Sequence, residues 1–221
     1  MKLRLKLLGE MIVVTIVIVA IIHYSNWIGS LFGYTSRIRL FLICLIPVLM
    51  MVVPGICCKV TRTSMEELGY HKKYIKKQMV VAVTALMFWI ITTVVIPLGL
   101  EVPLSRLVGM PYYEKKILIF RLIYYILFVG FSEEFIFRGY YYQRLKKLCN
   151  HEWIAIIGSS ILFGGMHYIT SGNMWLVLET FLAGIFYALC AHKCKWGSVW
   201  ATSLSHGLYD ASLVLIASFC L

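Results

Sequence analysis

Charged residues are scarce in this chain, at 14% of its 221 residues, whereas soluble domains average about 25%. Apolar residues supply 61% of the chain, and the mean hydropathy is +0.83. So little charge cannot cover the surface of a soluble domain, and the composition therefore excludes an ordinary globular protein. It favours an all-α polytopic membrane protein, because a helix satisfies its own backbone hydrogen bonds in hydrocarbon.

Acidic residues are the rarest charged type, with 10 Asp and Glu against 21 Lys and Arg and a net charge of +11. The basic residues form short clusters between apolar runs and no continuous stripe, which argues against a nucleic-acid partner. Membrane lipid head groups are the anionic partner that this pattern indicates. The seven cysteines have neither disulfide-framework nor zinc-site spacing. The chain also has no internal repeat and no His-Glu-x-x-His motif.

Several apolar stretches approach the roughly 20 residues that a helix needs to cross the hydrocarbon core. They lie at 11–32, 38–58, 79–100, 117–137, 153–170, 174–191 and 197–221. Prolines interrupt the second stretch, and the last could be a helix with a short tail, so the count ranges from six to eight. The sequence predicts a transmembrane helical bundle of about seven spans, with a first helix that is retained and not cleaved as a signal peptide.

Basic residues are more frequent on one side of these predicted spans than on the other. The richer side has Lys2, Arg4 and Lys6, then clusters at 59–77, 144–147 and 193–195. The poorer side has Arg37, Arg39, Arg106, Lys115, Lys116 and Arg121. The positive-inside rule then predicts an N-terminus inside and a C-terminus outside. In the inner loop, Ser64 and Glu67 have capping-box spacing, which predicts a short helix on the membrane face.

Only four acidic residues lie within the predicted spans, namely Glu133, Glu134, Glu179 and Asp210. An ionisable group at that depth costs several kcal/mol, so each needs a partner or a function. Arg138 follows Glu134 by one helical turn, which is the spacing of an ion pair. Glu133 lies about 100° further around the helix and is left free to face a cavity. Glu179 has no evident partner, and we assign it a structural or lining role.

Two histidines lie at a similar depth to Glu133. At 1.5 Å per residue, Glu133, His206 and His167 are roughly 16, 13 and 21 Å from the inner membrane surface, in the middle of a core about 30 Å thick. His206 shares a helix face with Asp210. These residues are therefore expected to converge on one cavity. The glycines at 164 and 165, beside His167, are expected to permit close helix approach.

Three motifs carry a family resemblance: Glu133-Glu134-x-x-x-Arg138, Phe163-x-x-x-His167 and His206-x-x-x-Asp210. They resemble the motifs of the CAAX protease and bacteriocin-processing (CPBP) family, which includes type II CAAX prenyl endopeptidases and bacterial Abi proteins. The resemblance covers residues 117–213. It implies that 1–116 supply N-terminal transmembrane helices and the basic inner loop, and that 117–221 form the catalytic helical core. The last motif position is often Asn in this family, whereas here it is Asp210.

The resemblance implies an intramembrane endopeptidase in which Glu133, assisted by His167, activates a water. His206 and Asp210 would stabilise the oxyanion, Glu134 completes the catalytic set, and Arg138 and Phe163 would hold the set in place. An ionised Asp210 cannot donate a hydrogen bond, so it is either protonated or orients His206 or a metal ion. Glu133, His167 and His206 could ligate one divalent metal such as zinc, and the sequence leaves metal dependence open.

The expected substrate is a membrane-associated peptide or lipidated protein, either of the prenylated CAAX type or bacteriocin-like. The chain is expected in a bacterial plasma membrane, and its oligomeric state is open. A non-catalytic bacteriocin-immunity or scaffold protein is one alternative, although every motif position holds a reactive residue type. A small transporter with ionisable residues at the midplane is the other, although the repeated halves typical of transporters are absent from the sequence.

Overall fold

The computed structural model describes residues 2–33 and 36–221, and these residues form helices and connections with no β-strand. We number the helices in chain order. They are α1 (Lys2–Ser30), α2 (Arg37–Val60), α3 (Ile75–Gly99), α4 (Leu104–Leu107), α5 (115–149), α6 (Glu152–Ser171), α7 (Met174–His192) and α8 (Val199–Cys220). The predicted all-α bundle is confirmed, and each predicted apolar stretch lies in one of these helices to within a few residues.

Five segments are long and apolar enough to cross a membrane: Arg4–Ser30 in α1, then α2, α3, α6 and α7. This confirms an integral membrane protein. Helices α5 and α8 coincide with the two remaining predicted stretches, but they hold most of the charged motif residues, which lower their mean hydropathy. The total of about seven spans and the inward N-terminus therefore remain predictions.

The connections 61–74, 150–151 and 193–198 meet at one end of the bundle, which we call the lysine-rich end. Glu152 forms ion pairs there with both Lys146 and Lys193. The ammonium of Lys147 lies 2.8 Å from the carboxylate of Glu67 and holds the pKa of that carboxyl below its usual range. These exposed pairs join the loop before α3 to the end of α5, and the start of α6 to the ends of α5 and α7.

The loop 61–74 corrects one expectation. Ser64 and Glu67 exchange the two hydrogen bonds of a capping box, with Glu67 N–H donating to Ser64 Oγ at 3.1 Å. The short helix expected after them is wrong, because the chain forms only turns there. Gly69 follows at φ +91°, a conformation that ends any helix at once and that favours glycine.

A buried ion pair that sequence reasoning missed joins α1 to α5. Arg144 Nε donates to Glu10 Oε1 at 2.7 Å, and Tyr140 OH donates to the same oxygen at 3.0 Å. The remaining guanidinium nitrogens of Arg144 donate to the hydroxyls of Thr61 and Thr63 at the end of α2. Glu10 precedes the first predicted span by one residue, so the acidic residues within the predicted spans do not include it.

Glycines bring α5 and α8 into backbone contact. A Cβ atom on Gly130 would lie 2.5 Å from the backbone nitrogen of Gly207, and one on Gly207 would lie 2.7 Å from the carbonyl oxygen of Tyr125. No side chain fits between helices at such distances. This close approach places the first motif, which follows Gly130, directly against the third motif, which contains Gly207.

Helices α6 and α7 pack in the same way. A Cβ atom on Gly164 would lie 2.8 Å from the carbonyl oxygen of Val177, and one on Gly184 would lie 2.8 Å from the Cβ of Ser160. Around Gly165 nothing lies within 4 Å. The expected close approach is thus confirmed at Gly164 and wrong at Gly165, which faces away from α7.

These neighbouring glycines give a matched test of the packing. Gly164→Ala is expected to destabilise the protein by about 1–3 kcal/mol, because the new methyl group collides with backbone and forces α6 and α7 apart. Gly165→Ala is expected to leave stability unchanged or slightly higher, because alanine is the better helix former. Thermal unfolding of both variants in detergent measures the difference. Equal melting temperatures for the two would contradict the packing described here.

Candidate functional site

The first motif lies in an irregular part of α5. Two π-helical turns, Tyr125–Val129 and Phe135–Tyr141, flank the α-helical turn Gly130–Glu134 that carries both glutamates. π-Helical turns widen a helix and occur frequently at functional sites. This irregularity changes which faces of α5 point into the bundle, and it was not evident from the sequence.

A cavity of about 590 Å³ lies between α1, α2, α3, α5, α6, α7 and α8. Its lining includes Glu133, His167, His206 and Asp210, so the expected convergence of these four residues is confirmed. Glu134 does not line the cavity and is fully buried behind it. The two adjacent glutamates therefore occupy different environments, as their positions around the helix predict.

His206 is the centre of the site. Its Nε2 atom lies 3.7 Å from Oε2 of Glu133 and 3.7 Å from Oδ2 of Asp210. Both separations exceed a hydrogen bond, so the three groups are adjacent at the cavity wall and are not hydrogen-bonded to one another. The Glu133 and Asp210 side chains are 22% and 23% exposed, against 9% for His206. Both acidic side chains are thus more exposed than the imidazole between them.

Glu134 fixes the orientation of that imidazole. Its Oε1 atom lies 3.1 Å from Nδ1 of His206 and 3.0 Å from a guanidinium nitrogen of Arg138. Glu134 paired with Arg138 is a carboxylate and accepts only, so Nδ1 of His206 carries the hydrogen and donates it. Nε2 is then the atom that faces the cavity. The predicted Glu134–Arg138 pair is present, and its additional bond to His206 is a finding of the structure.

Aromatic rings enclose the ion pair and the imidazole. The Arg138 guanidinium lies 4.2 Å from the centre of the Phe163 ring and 5.6 Å from that of Tyr187. Tyr187 stacks on His206 with ring centres 5.3 Å apart and an interplanar angle of 18°, and Phe163 meets the same imidazole edge-on at 5.8 Å. Sequence reasoning found Phe163 through its motif but missed Tyr187, which nothing distinguishes from the other 13 of the 14 tyrosines.

His167 is held by its own helix. Its Nδ1 atom lies 2.9 Å from the carbonyl oxygen of Phe163, one turn earlier, and the two rings meet edge-on at 4.7 Å. With Nδ1 donating to that carbonyl, Nε2 is the free acceptor. Glu179 lines the same cavity and is close enough to His167 for electrostatic interaction. The lining role expected for Glu179 is thus confirmed.

The residues considered as metal ligands do not fit a metal site. Among residues 2–33 and 36–221, no group of three or more His, Cys, Asp or Glu side chains is arranged to hold an ion. Glu133, His167 and His206 share the cavity, but they do not form the three-ligand set that catalytic zinc requires.

Arg121 occupies a place that the sequence did not reveal. The sequence places it with the interfacial basic residues, but it is only 6% exposed and lines the cavity together with Glu133 and His206. A basic residue near the end of an apolar stretch usually reaches the head groups. Here the packing of α5 against α8 turns it inward.

Breaking the buried Glu134–Arg138 pair should destabilise the fold. Glu134→Gln or Arg138→Gln alone is expected to cost about 3–5 kcal/mol, because the remaining charge is left without its partner. The double substitution is expected to cost less than the sum of the two. Thermal unfolding of the three variants in detergent measures this coupling.

Lys147→Gln is the matched control for this prediction, because it breaks the exposed pair with Glu67 and should hardly change the melting temperature. Additive effects of Glu134→Gln and Arg138→Gln would contradict the coupling.

Comparison with known proteins relates this site to a family. Residues 115–212 match the family model described as Type II CAAX prenyl endopeptidase Rce1-like. The search of curated proteins and the search of solved structures each give no match. The matched segment contains all three motifs and every candidate site residue from Glu133 to Asp210. The match confirms the resemblance predicted from the motifs, since residues 115–212 are similar to the type II CAAX prenyl endopeptidase family.

Proposed function

We propose that this protein is an intramembrane endopeptidase that hydrolyses a peptide bond with a water activated by Glu133. The observation that carries the proposal is the position of His206 Nε2, 3.7 Å from both Glu133 and Asp210 in a cavity that His167 also lines. The cavity next to these groups can accommodate a water beside a base and an oxyanion beside donors. The family match supports the same reaction class.

Glu133 is the base of the proposed reaction. Its carboxylate takes a proton from the water, and the water oxygen attacks the carbonyl carbon of the scissile bond. Glu133 then gives the proton to the leaving amine nitrogen as the carbon–nitrogen bond breaks, which restores the carboxylate. His167, with Nε2 free, accepts a hydrogen bond from the same water and orients it.

His206 stabilises the oxyanion. Because Nδ1 already donates to Glu134, Nε2 can donate only when the ring carries both protons. The carboxylate of Glu133, 3.7 Å from Nε2 on the cavity side, favours that imidazolium, since Arg138 already neutralises Glu134. A charged donor held rigidly in a site with little water is an effective oxyanion stabiliser. Glu134, Arg138, Tyr187 and Phe163 keep its ring in place.

Asp210 acts as the second donor in its protonated form. An ionised carboxylate would repel the oxyanion, whereas a carboxylic acid or a carboxamide donates to it. The carboxamide is the group often found in the family at this position, so Asp210 performs the same task with a proton that can be lost.

The proposed substrate is a membrane-associated peptide, of the CAAX type or bacteriocin-like, entering from the bilayer of a bacterial plasma membrane.

Replacement of the base tests the proposal. Glu133→Gln is expected to lower kcat by a factor on the order of 10² or more while the melting temperature stays close to that of the wild type. The change keeps the size of the side chain and removes only the proton acceptor. The assay uses purified protein in proteoliposomes and a quenched fluorescent S-farnesyl peptide of the CAAX type.

The adjacent Glu134→Gln is the control for this assay, because it should lower stability as well as turnover. Near-normal kcat in Glu133→Gln would remove that residue as base. A folded wild type that cleaves neither this peptide nor a panel of apolar peptides would favour the immunity or scaffold alternative.

Asp210 gives a separate prediction about pH. Wild-type turnover should fall as pH rises through the range in which Asp210 ionises, because only the protonated group donates. Asp210→Asn should keep turnover within about tenfold of the wild type, since a neutral donor replaces another, and should move the alkaline limb of the pH profile upward. Asp210→Leu, which has no donor, should lose turnover at every pH. Rate profiles from pH 5 to 10 measure this, and an unchanged alkaline limb in Asp210→Asn would contradict it.

A further inference from the structure

A histidine at the end of α7 completes the irregular turn that follows the two adjacent glutamates. Nε2 of His192 lies 2.9 Å from the carbonyl oxygen of Arg138, within the π-helical turn Phe135–Tyr141. A carbonyl oxygen only accepts, so Nε2 carries the hydrogen and donates it. His192 belongs to none of the three motifs and is not among the residues that line the cavity. Any effect of His192 on the reaction must therefore pass through α5.

The π-helical geometry is the reason that this carbonyl is free to accept. In an α-helix the amide of Tyr142 would donate to the carbonyl of Arg138, four residues earlier. Here that amide donates to the carbonyls of Phe137 and Gly139 instead. The imidazole of His192 supplies the hydrogen bond that the irregular backbone does not. Because a buried carbonyl without a donor is costly, the imidazole stabilises the π-helical form of the turn over the α-helical form.

The ring of His192 is confined on several sides. The Tyr142 ring stacks on it, with ring centres 3.6 Å apart and an interplanar angle of 3°. Gly69 covers it from the loop before α3, since a Cβ atom there would lie 3.1 Å from Cε1 of His192 and 2.7 Å from Cγ2 of Val199. The Gly69 carbonyl accepts from the Val199 amide at 2.9 Å, at the start of α8. The donor is thus held between α5, this loop and α8.

Both ends of the π-helical turn are attached to other helices. Before the turn, Gly130 is in backbone contact with Gly207 of α8. After the turn, Nε of Arg144 lies 2.7 Å from the carboxylate of Glu10 in α1. The i→i+5 hydrogen bonds of a π-helix enclose one residue more than those of an α-helix, and one residue corresponds to a rotation of about 100°. The form of the turn therefore decides where the two glutamates point relative to the anchored end of α5.

We propose that His192 is a positioning residue of the site, acting through the carbonyl of Arg138. By donating to that carbonyl it holds the turn in the form that directs Glu133 into the cavity and Glu134 behind it. The inference rests on the proposed function and adds to it a residue outside the three motifs. A displacement of about 1 Å from the reacting geometry can lower a rate about 10²-fold. Loss of this hydrogen bond should therefore affect the chemical step and hardly change peptide binding.

Two substitutions separate the hydrogen bond of His192 from its packing. His192→Phe keeps a ring that can stack on Tyr142 but has no donor, whereas His192→Gln keeps an N–H donor and loses the ring. In the peptide assay, His192→Phe should lower kcat by about 10²-fold, with KM within about twofold of the wild type. His192→Gln should keep kcat within about fivefold of the wild type. A residue that only packs would give the opposite order of the two variants.

His151→Phe is the matched control, because it makes the same replacement at an exposed position and should leave kcat unchanged. A kcat for His192→Phe equal to that of the wild type, or higher than that of His192→Gln, would overturn the inference and leave the proposed function intact.

The imidazole signals give a readout that needs no turnover. The chain has 6 histidines, so the ¹⁵N spectrum of histidine-labelled protein in detergent can be assigned by single substitutions. In the wild type, His192 should carry its hydrogen on Nε2. The Nδ1–H signal of His206, which reports its bond to Glu134, should move in His192→Phe and stay in place in His192→Gln and His151→Phe.

Each outcome of this spectrum bears on the inference. A His206 signal that moves only in His192→Phe, in a protein whose wild type cleaves no peptide, would support the positioning role while refuting the peptidase. A signal that stays in place in His192→Phe, or that moves equally in His192→Gln, would overturn the inference whatever the rates. A wild-type His192 with its hydrogen on Nδ1 alone would overturn it even if His192→Phe does not fold.

Discussion

The buried pair of Glu134 and Arg138 joins one turn of α5 to three other helices. Glu134 accepts from His206 on α8, and the Arg138 guanidinium lies on the Phe163 ring of α6 and near the Tyr187 ring of α7. The Arg138 carbonyl also accepts a hydrogen bond from His192 at the end of α7, at 2.9 Å. In hydrocarbon a separated charge of either sign is costly, so the two groups hold each other and thereby hold the helices that contact them.

The cost of an unpaired charge in hydrocarbon also gives the two adjacent glutamates different tasks. Glu134 points into the bundle and is neutralised, whereas Glu133, one residue earlier, points into the cavity and keeps an available carboxylate. Since the two side chains share one stretch of helix, any movement of the ion pair would also move Glu133, the proposed base. The rigidity of the pair therefore supports the geometry around His206, where the distances to Glu133 and Asp210 are both 3.7 Å.

Much of this arrangement could be predicted because a transmembrane α-helix is nearly straight and rises by a constant distance per residue. Apolar length located the helices, and counting residues from the membrane surface placed Glu133, His167 and His206 at one depth before any contact was known. The Glu134–Arg138 spacing was equally informative.

Side-chain contacts between helices were not predictable, since the stacking of Tyr187 on His206 depends on the rotation of α7 about its axis. The inward direction of Arg121 depends in the same way on the packing of α5, and the turn at 64–69 depends on a single glycine conformation. The total number of spans is undecided for a related reason, because the charges that build the site lower the hydropathy of the helices that carry it.

The cavity lining contains ionisable groups of both kinds. Glu133, Asp210 and Glu179 contribute carboxyl groups, and Arg121 contributes a guanidinium. Interactions between charges are strong where water is excluded, so each of these groups influences the charge of its neighbours more than it would at a solvated surface. The four acidic residues of the predicted spans all lie in this cavity or in the ion pair behind it, because a carboxyl group elsewhere in the hydrocarbon would have no such partners.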